Sequence, residues 1–347
     1  FNNEYTYFSS YSSSWLKHAR DYVDMMMNRF DFNEQSQVIE IASNDGYLLQ
    51  YFLKYKIPVL GVDPASNTAF MAKEKGIDTI VDFFGTKVAR ESMAEKNILA
   101  DLVIGNNVLA HVPDIKDFVK GMKLILKPTG IITMEFPHLK KLVDGNQFDT
   151  IYHEHYSYLS FTVVKSIFEA QGLEMFDVQE IPTHGGSLRI FARNKDDNSK
   201  EISPQVQDLL DMESQAGILT NAYYENFQEA VNGIKYSVWQ FLLEQKIKGK
   251  KVVGYGAAAK GNTLLNYCGI KGNDLIAFVS DASPYKQNKF LPASRIKVKS
   301  PDAIKRYKPD YLIIFPWNLK TEISERLSYI RDWGGQFVSF IPELSIY

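Results

Sequence analysis

Short apolar runs rich in β-branched residues alternate with amphipathic stretches between residues 38 and 193. The run at 38–41 predicts a buried strand, and Leu48, Leu49, Phe52 and Leu53 then recur at helical spacing. Further strands are predicted at 58–63, 79–82, 101–105 and 130–136, and further helices at 68–75, 86–96 and 114–126. This alternation predicts a doubly wound parallel sheet, whose ligands bind beyond the carboxyl ends of the strands.

The pattern continues with a helix at 161–171 and two strands at 173–180 and 187–193. A sheet of seven strands is therefore predicted, rather than the six of a dinucleotide-dependent dehydrogenase. A polar stretch at 194–204 marks a boundary, and 206–246 predicts a long, mostly helical connector. A new strand–turn–helix pattern begins at Lys251, with strands predicted at 275–281 and 311–316 and a last strand at 337–341.

We therefore predict four parts in the chain. An N-terminal lid segment and helix at 1–30 precede the first α/β domain at 31–198, and a helical connector at 199–248 leads to a smaller Rossmann-like domain at 249–347. The N-terminal part carries tyrosines and serines before an amphipathic helix at 15–30. Two interpretations of it stay open: a helix packed on the first domain, or a lid near an active site.

Composition and charge exclude several classes of function. The formal net charge of −2 at pH 7 gives no electrostatic basis for binding nucleic acid or a membrane surface, and no apolar run is long enough to span a bilayer. The single cysteine, Cys268, excludes an intrachain disulfide and a cysteine-cluster zinc site, which fits a reducing cytoplasm. The oligomeric state does not follow from the sequence.

The loop after the first strand favours a cationic nucleoside ligand. Ser43, Asn44, Asp45 and Gly46 are loop formers before a helix N-terminus, which offers free N–H groups. The glycines of a dinucleotide fingerprint are missing, and the carboxylate of Asp45 would repel a diphosphate. S-adenosylmethionine carries a sulfonium and an ammonium but no phosphate. It is therefore the better candidate, and Asp63, about 20 residues on, is placed to bind its ribose.

Histidines and tyrosines cluster after the fifth strand, in Tyr-His-Glu-His-Tyr-Ser-Tyr at 152–158, and His111 lies in the loop after the fourth strand. An imidazole can act as a general base near neutral pH, and a neighbouring carboxylate can orient it. His153-x-His155 with Glu154 is also a metal-ligand spacing, and a purely structural cluster is the other alternative. His184, before two glycines, is a second base or a turn residue.

The second domain begins with Gly-Tyr-Gly-Ala-Ala-Ala-Lys-Gly at 254–261. Small residues, exposed backbone N–H groups and one lysine give this loop the character of a phosphate site. It is not a P-loop, because the spacing differs and no Ser or Thr follows the lysine.

Seven ordered motifs together resemble the nucleotide-sugar C-methyltransferases, S-adenosylmethionine-dependent enzymes that make branched deoxysugars. They are Glu-Ile-Ala-Ser-Asn-Asp-Gly-Tyr-Leu-Leu (40–49), Gly-Val-Asp-Pro-Ala (61–65), Asp-Phe-Phe-Gly (82–85), Asn-Asn-Val-Leu-Ala-His-Val-Pro-Asp (106–114), the 152–158 run, His-Gly-Gly-Ser-Leu-Arg (184–189) and the 254–261 loop. The resemblance implies a class I methyltransferase sheet followed by a Rossmann-like domain that holds a nucleotide sugar. It also implies a cysteine-rich N-terminal zinc-binding module, and two alternatives stay open for its apparent absence here: the sequence starts after it, or this member of the family is without it.

The resemblance implies a role for each site residue on a nucleotide-linked 4-keto-deoxysugar. His155 would be the base, oriented by Glu154, with Tyr152 and His111 at the enolate and Tyr7 (or Tyr5) closing over the sugar. The cofactor would be held by Glu40, Ser43, Asp45, Gly46, Asp63, Pro64, Phe83, Phe84, Asn106 and Asn107, with the two phenylalanines around the adenine. The substrate would be held by His184, Tyr255, Gly256, Lys260, Gly261 and Asn262, and no metal is implied.

Three alternatives stay open from the sequence. Both halves begin with strand, small loop and helix, which also suits a two-domain nicotinamide oxidoreductase. A non-catalytic nucleotide-sugar binding protein would have no need of the base in the 152–155 run. Methyl transfer to another activated ketone or to a heteroatom is the third.

Overall fold

The computed structural model describes residues 7–347, and none of its helices there is both long and apolar enough to cross a membrane. The α-helices are α1 (Ser13–Arg29), α2 (Gln50–Leu53), α3 (Ser66–Glu74), α4 (Thr86–Val88), α5 (Ile115–Ile125), α6 (Leu139–Asp144), α7 (Phe161–Glu169), α8 (Pro204–Ala216), α9 (Phe227–Ile247), α10 (Ala259–Cys268), α11 (Asp302–Tyr307) and α12 (Lys320–Arg326).

The strands are β1 (Val38–Ile41), β2 (Val59–Val62), β3 (Thr79–Ile80), β4 (Ala100–Asn106), β5 (Leu126–Pro137), β6 (Leu173–Ile181), β7 (Ser187–Asn194), β8 (Val252–Tyr255), β9 (Val279–Ser280), β10 (Val298–Lys299), β11 (Tyr311–Ile314), β12 (Gln336–Ser339) and β13 (Ser345–Ile346).

The chain forms two compact units built from discontinuous segments. The first unit consists of the chain up to His138 with His155–Pro182 and Gly186–Ala216, and the second of Leu139–Glu154, Thr183–Gly185 and Gly217–Tyr347. The segments 139–154 and 183–185, which fall inside the predicted first domain, therefore lie in the second unit. The four-part division from the sequence stays a prediction.

The first unit contains a seven-stranded sheet of order β3-β2-β1-β4-β5-β7-β6. Strands β1 to β5 pair in parallel, whereas β7 runs antiparallel between β5 and β6. The predicted doubly wound sheet of seven strands is confirmed. Strand order reverses at β1 and β4, so a ligand crevice is expected beyond the carboxyl ends of these two strands.

Burial on both faces explains why β1 is a central strand. Its four residues are all buried, and separate apolar layers cover the two sides of the sheet. Ile39 and Ile41 belong to one layer and Val38 to the other, as the twofold alternation of a strand requires. Glu40, on the Val38 side, is the one polar residue of this strand.

Helix α1 packs on the first unit through a single apolar stripe. Ser12 caps it by accepting a hydrogen bond from the Trp15 amide at 3.2 Å, and Ala19, Val23 and Met26 are buried. The interpretation of this part as a packed helix is therefore confirmed for α1.

The second unit contains a six-stranded sheet of order β10-β9-β8-β11-β12-β13, parallel except for β13. Strand β8 is central, and the order reverses between β8 and β11, as in a Rossmann-like fold. The prediction of a strand over 275–281 is wrong except for Val279–Ser280. The strand predicted at 337–341 is not the last, because β13 follows it, and β10 was not predicted.

Two predicted helices are also corrected. The helix predicted at 86–96 is broken into α4, a π-helical turn at Ala89–Met93 and a 3-10 turn at Ala94–Lys96. The connector over 206–246 consists of two helices, α8 in the first unit and α9 in the second, with a 3-10 turn at Asn221–Tyr224 between them.

Candidate active site

The loop after β1 has a strained, compact backbone. Ala42, Asn44 and Gly46 have φ of 59°, 49° and 72°, which is the left-handed region. A Cβ on Gly46 would lie 2.6 Å from the side chain of Ile77, so this position has both a conformational and a packing need for glycine. The loop thereby stays close to the edge of the sheet.

Asp63 joins the loop after β1 to the turn after β2. Its Oδ2 accepts a hydrogen bond from the Asn44 amide at 2.9 Å, and its Oδ1 accepts from the Ala65 amide and from Oγ1 of Thr68, each at 2.9 Å. Burial raises the pKa of Asp63, and these hydrogen bonds oppose the rise. The ribose role of Asp63 and Pro64 stays a prediction, and in the structure the Asp63 carboxylate holds two loops together.

Several buried polar atoms at this edge lack protein partners. Oγ of Ser43 and Oδ1 of Asp45 have none among residues 7–347, and the Glu40 carboxylate, which lies beside the Tyr47 hydroxyl, has no partner of full hydrogen-bond geometry there. The amide of Asn106 lies beside the Tyr47 hydroxyl but likewise has no partner of full hydrogen-bond geometry in that range. Buried polar groups normally have partners, so this set fits a polar ligand such as S-adenosylmethionine.

The charge of this crevice favours a cation. Burial raises the pKa of Glu40 well above its usual value, and the nearby charges of Asp45, Asp63 and Glu135 raise it further. A basic side chain, Lys75, also lies at this loop. Its ammonium is 3.4 Å from Oδ2 of Asp45 and donates to the Asp45 carbonyl at 2.6 Å. Fixed acids that repel one another are stabilised by a cationic ligand.

Glu135 on β5 differs because two basic side chains meet it. His18 Nε2 lies 2.8 Å from one carboxylate oxygen, and Arg189 donates to the other from Nε at 2.7 Å. Burial opposes ionisation of Glu135, but these partners lower its pKa overall. No local spacing in the chain indicates this cluster, since its members come from α1, β5 and β7.

The predicted adenine residues do not share one environment. Phe83 is exposed, whereas Phe84 packs edge-on against Phe118 with ring centroids 5.4 Å apart. Asn107 has a φ of 55°, and its amide donates to the Glu135 carbonyl at 2.8 Å. Phe83 is thus exposed at the surface, while Phe84 contributes to the apolar layer.

The structure brings His111 and His155 together. Their ring centroids are 4.7 Å apart at an interplanar angle of 67°, and the ring of Tyr158 lies 6.0 Å from that of His155. The amides of Tyr156 and Ser157 both donate to the Ala110 carbonyl, at 2.8 and 3.3 Å. This anchor holds the histidine-bearing segment to the loop after β4, at the carboxyl edge of the sheet.

Tyr7 belongs to an N-terminal segment attached to the loop after β1. The Asn44 side chain donates to the Tyr7 carbonyl at 3.2 Å and accepts from the Ser9 amide at 2.9 Å, and Lys75 donates to Oγ of Ser10 at 2.8 Å. The side chain of Tyr7 is 53% exposed. Tyr5 lies outside the described residues.

Tyr152 and Glu154 lie in the second unit, in a turn where Tyr152 is half-buried and His153 and Glu154 are exposed. Among residues 7–347 no group of three or more His, Cys, Asp or Glu side chains is arranged to hold a metal ion.

Close packing explains two glycines of the 254–261 loop. A Cβ on Gly256, whose φ is 94°, would lie 2.4 Å from Pro316, and one on Gly261 would lie 2.6 Å from Phe315. Gly261 therefore lets α10 approach β11, as the third glycine of a dinucleotide loop does. The Ala257 amide is already taken, because it donates to Asp281 at 2.7 Å.

Helix α10 has no side-chain cap, so the amides of its first turn remain available to a ligand. Lys260 in this turn donates to Oδ1 of Asn318 at 2.8 Å, and its ammonium lies 4.3 Å from the Trp317 ring centroid. Asn262 has a buried Oδ1 with no partner among the described residues. Tyr255 packs in the apolar layer of the second unit, where its hydroxyl accepts from Arg326 at 2.7 Å.

His184 has a φ of 54° and interrupts the turn at Thr183–Gly185. Trp317 was not among the predicted site residues. Its position after the carboxyl end of β11, where the strand order reverses, could have indicated it. Nothing in the local sequence indicates Asp149, which accepts a hydrogen bond from the Trp317 indole at 2.8 Å.

The seven-stranded sheet and the acidic crevice at its carboxyl edge define a class I methyltransferase that uses S-adenosylmethionine. A family model described as "Methyltransferase domain" matches residues 15–178, and one described as "C-methyltransferase C-terminal domain" matches 182–342. The C-methyltransferase NovU of Streptomyces niveus is 37% identical over 339 residues, which cover 98% of this chain and 80% of NovU. The chain belongs to this C-methyltransferase family and is an enzyme, so the oxidoreductase and binding-protein alternatives no longer apply.

Two solved structures have low similarity. The PH0226 protein of Pyrococcus horikoshii has a TM-score of 0.45 at 17% identity, covering 55% of this chain and 95% of that one. The magnesium protoporphyrin IX methyltransferase of Synechocystis has a TM-score of 0.40 at 14% identity, covering 52% and 79%. At such TM-scores neither likeness bears on function.

Proposed function

We propose that this C-methyltransferase acts on a nucleotide-linked 4-keto-deoxysugar and methylates the carbon next to the keto group. The observation that carries the proposal is the pair of imidazoles, His111 and His155, held 4.7 Å apart at the carboxyl edge of the first sheet. Carbon is a poor nucleophile until a proton is removed, so a C-methyltransferase needs a base. A single buried cysteine is compatible with work in the cytoplasm.

The cofactor proposal uses the unpartnered atoms of the crevice. Glu40 and Asp45 face the cationic methionine end of S-adenosylmethionine, and Asp63 accepts from the ribose with its remaining lone pairs. Ser43, Gly46, Pro64, Asn106 and Asn107 complete the walls, and the exposed ring of Phe83 covers the adenine. Phe84 supports this region from the apolar layer.

His155 is the proposed base. It takes a proton from the carbon beside the ketone, whose carbonyl acidifies that position. His111 and Tyr152 then donate to the developing enolate oxygen, which preorganised donors stabilise strongly. Glu154 orients the base, and Tyr7 closes over the sugar. The bound cofactor supplies an electrophilic methyl group, which the carbon nucleophile takes up.

Binding of the nucleotide sugar is assigned to the second unit. The open amides at the start of α10 and the ammonium of Lys260 suit a diphosphate. Asn262, with an unpartnered oxygen, accepts from the ligand, while Gly256 keeps the backbone accessible. Tyr255 and Gly261 act through packing, and His184 lies in the turn that carries Gly185.

Exchange of the acidic hydrogen for deuterium tests the mechanism apart from methyl transfer. The chain is incubated in D₂O with dTDP-, GDP- or CDP-linked 4-keto sugars, without a methyl donor, and the sugars are followed by NMR. One of them should gain deuterium next to the keto group, and labelled S-adenosylmethionine should then methylate that same carbon. Methylation of an oxygen or nitrogen instead, or of a ketone without a nucleotide, would contradict the proposal.

A further inference from the structure

Three parts of the second unit meet the side chain of Trp317. Its indole N–H donates to Oδ2 of Asp149 at 2.8 Å, and the ammonium of Lys260 lies 4.3 Å from the ring centroid. A Cβ on Gly185 would lie 2.3 Å from the ring, so the indole lies directly against this glycine. Trp317 therefore connects the turn at Thr183–Gly185 and the segment 139–154 with the start of α10.

Asp149 is a charged residue at a buried position, where an apolar side chain would be usual if packing were its only role. It is 1% exposed, on a 3-10 turn at Phe148–Thr150, and the Phe148 ring fixes this turn against Tyr267 with centroids 5.0 Å apart. Its Oδ1 is buried and has no partner of full hydrogen-bond geometry in the described part of the chain, although the backbone amide of Asp149 itself lies near the carboxylate. A buried carboxylate with one oxygen unsatisfied costs free energy, which indicates a role beyond folding.

Asp149 and Lys260 act on each other electrostatically. Burial raises the pKa of Asp149 to about 6. The charge of Lys260 and the hydrogen bond from Trp317 oppose this rise. Burial lowers the pKa of Lys260 to about 8, which the charge of Asp149 opposes. Among residues 7–347, no other ionisable group contributes to either shift. Without the charge of Asp149, the pKa of Lys260 would fall further, towards neutrality.

We propose that Asp149 is a positioning residue for the nucleotide sugar: its carboxylate holds the Trp317 ring beneath Lys260 and keeps Lys260 an ammonium ion for the diphosphate. The inference rests on the proposed role of Lys260. It adds that a residue from the segment between β5 and α7, remote from the 254–261 loop in sequence, governs the charge of that loop. Asp149 itself does not touch the substrate in this proposal.

The test is Asp149→Asn, which keeps an oxygen to accept from Trp317 but removes the charge. Affinity for dTDP, with UDP, GDP and CDP in parallel, is measured by calorimetry on the full chain from pH 5.5 to 9. Below about pH 6 wild type and variant should agree, because Asp149 is then protonated. Near pH 8 the variant should bind severalfold more weakly, because Lys260 has a pKa of about 8 in the wild type and loses more of its charge when Asp149 no longer raises that pKa.

Controls separate this inference from the proposed function. Asp144→Asn, on the exposed end of the same segment, should bind like wild type at every pH. Lys260→Met should weaken binding, and adding Asp149→Asn to it should change nothing further. If Lys260→Met binds normally, the diphosphate role of Lys260 fails.

Suppose that Lys260→Met weakens dTDP binding. The positioning role of Asp149 is then overturned if Asp149→Asn has the same dTDP affinity as wild type, or if its affinity is lower by the same factor at every pH. Affinity for S-adenosylmethionine and the circular dichroism spectrum should stay unchanged in Asp149→Asn. Wild type alone provides a second check, since its dTDP affinity should fall above about pH 8 as Lys260 deprotonates; a flat profile there would also contradict the inference.

Discussion

At the scale of single residues, the chain places acidic side chains where water is excluded, and some of their oxygens have no hydrogen-bond partner among residues 7–347. Glu40 is fully buried in a central strand, and Asp63 is nearly so at the end of the next. The folded protein tolerates these positions because the crevice is built for a cationic ligand. The same acidic side chains therefore raise the affinity for that ligand and lower the stability of the cofactor-free protein.

We expect His155→Ala to lower turnover by about 10²–10⁴-fold, the usual loss when a general base is removed. Deuterium exchange next to the keto group should fall by a similar factor, while affinity for S-adenosylmethionine by calorimetry stays normal. His153→Ala, two residues away and exposed, is the matched control and should retain activity. Normal turnover in His155→Ala would move the base to another residue.

We expect Glu40→Gln to bind S-adenosylmethionine more weakly and yet to raise the melting temperature of the cofactor-free protein near pH 8. Because the pKa of Glu40 is raised in the folded state, wild-type stability falls as the pH rises above the unfolded value of about 4.5. The variant lacks this loss. Scanning fluorimetry from pH 5 to 8 with and without cofactor measures both effects, and parallel pH profiles would refute the argument.

The sequence revealed some of these residues and hid others for a physical reason. Glu40 and Asp63 were found because an acid at the end of an apolar run is visible in the chain itself. Asp149 and Trp317 are 168 positions apart, and no local spacing reports their contact. The pairing of His111 with His155 was expected only because both follow strands that end at one edge of the sheet.

At the scale of elements, long periodic segments were predicted well and short ones were not. Helix α1 and strands β1, β4 and β5 have enough apolar positions for the spacing of those positions to indicate a helix or a strand. Strands β9, β10 and β13 are two residues each, too short for any alternation, and their neighbours in the sheet decide their conformation. The helix predicted over 86–96 is wrong in part, because its buried residues end at Met93, and the last turn at Ala94–Lys96 buries no side chain.

The N-terminal segment is an element held by few contacts, and we expect the double variant Asn44→Ala, Lys75→Met to release it. Each lost buried hydrogen bond costs about 1–3 kcal/mol, so hydrogen exchange at residues 8–12 should speed up at least tenfold. Lys73→Met, exposed near the end of α3 and two residues before Lys75, is the control. Exchange in the double variant at the wild-type rate would mean that other contacts hold this segment.

At the scale of the whole molecule, the chain passes between the two units five times, after residues 138, 154, 182, 185 and 216. A buried hydrogen-bonded pair of the first unit, His138 and Glu213, includes the residue at the first of these passages. Glu213 accepts from His138 at 2.7 Å, from the Phe161 amide at 2.7 Å and from Thr162. The His138 amide in turn donates to the Gly186 carbonyl at 3.1 Å. One carboxylate thus joins three chain segments that are far apart in sequence.

We expect Glu213→Ala to destabilise the first unit by about 3–5 kcal/mol, because His138 and two amides are left buried without their acceptor. Burial opposes ionisation of Glu213, but hydrogen bonds from His138 and Thr162 outweigh it and lower the pKa. The contribution is therefore complete above about pH 4.5 and is lost as the pH falls through the folded-state pKa. Urea unfolding at pH 7 and pH 4 should show the difference shrinking in acid.

Asp211→Ala, exposed on the same helix α8, should change stability by less than about 0.5 kcal/mol. A comparable loss in both variants would point to the helix rather than to the buried carboxylate.

The interleaved chain also limits how this enzyme can be recombined with its relatives. Exchanging residues 217–347 as one block would separate Trp317 from the Asp149 that it contacts, and α10 from the turn at Phe148–Thr150. A hybrid that borrows another acceptor specificity must therefore transplant 139–154 and 183–185 as well. Gene shuffling at a single junction should give insoluble or inactive products, whereas grafting all three pieces together should give an enzyme with the donor's preference.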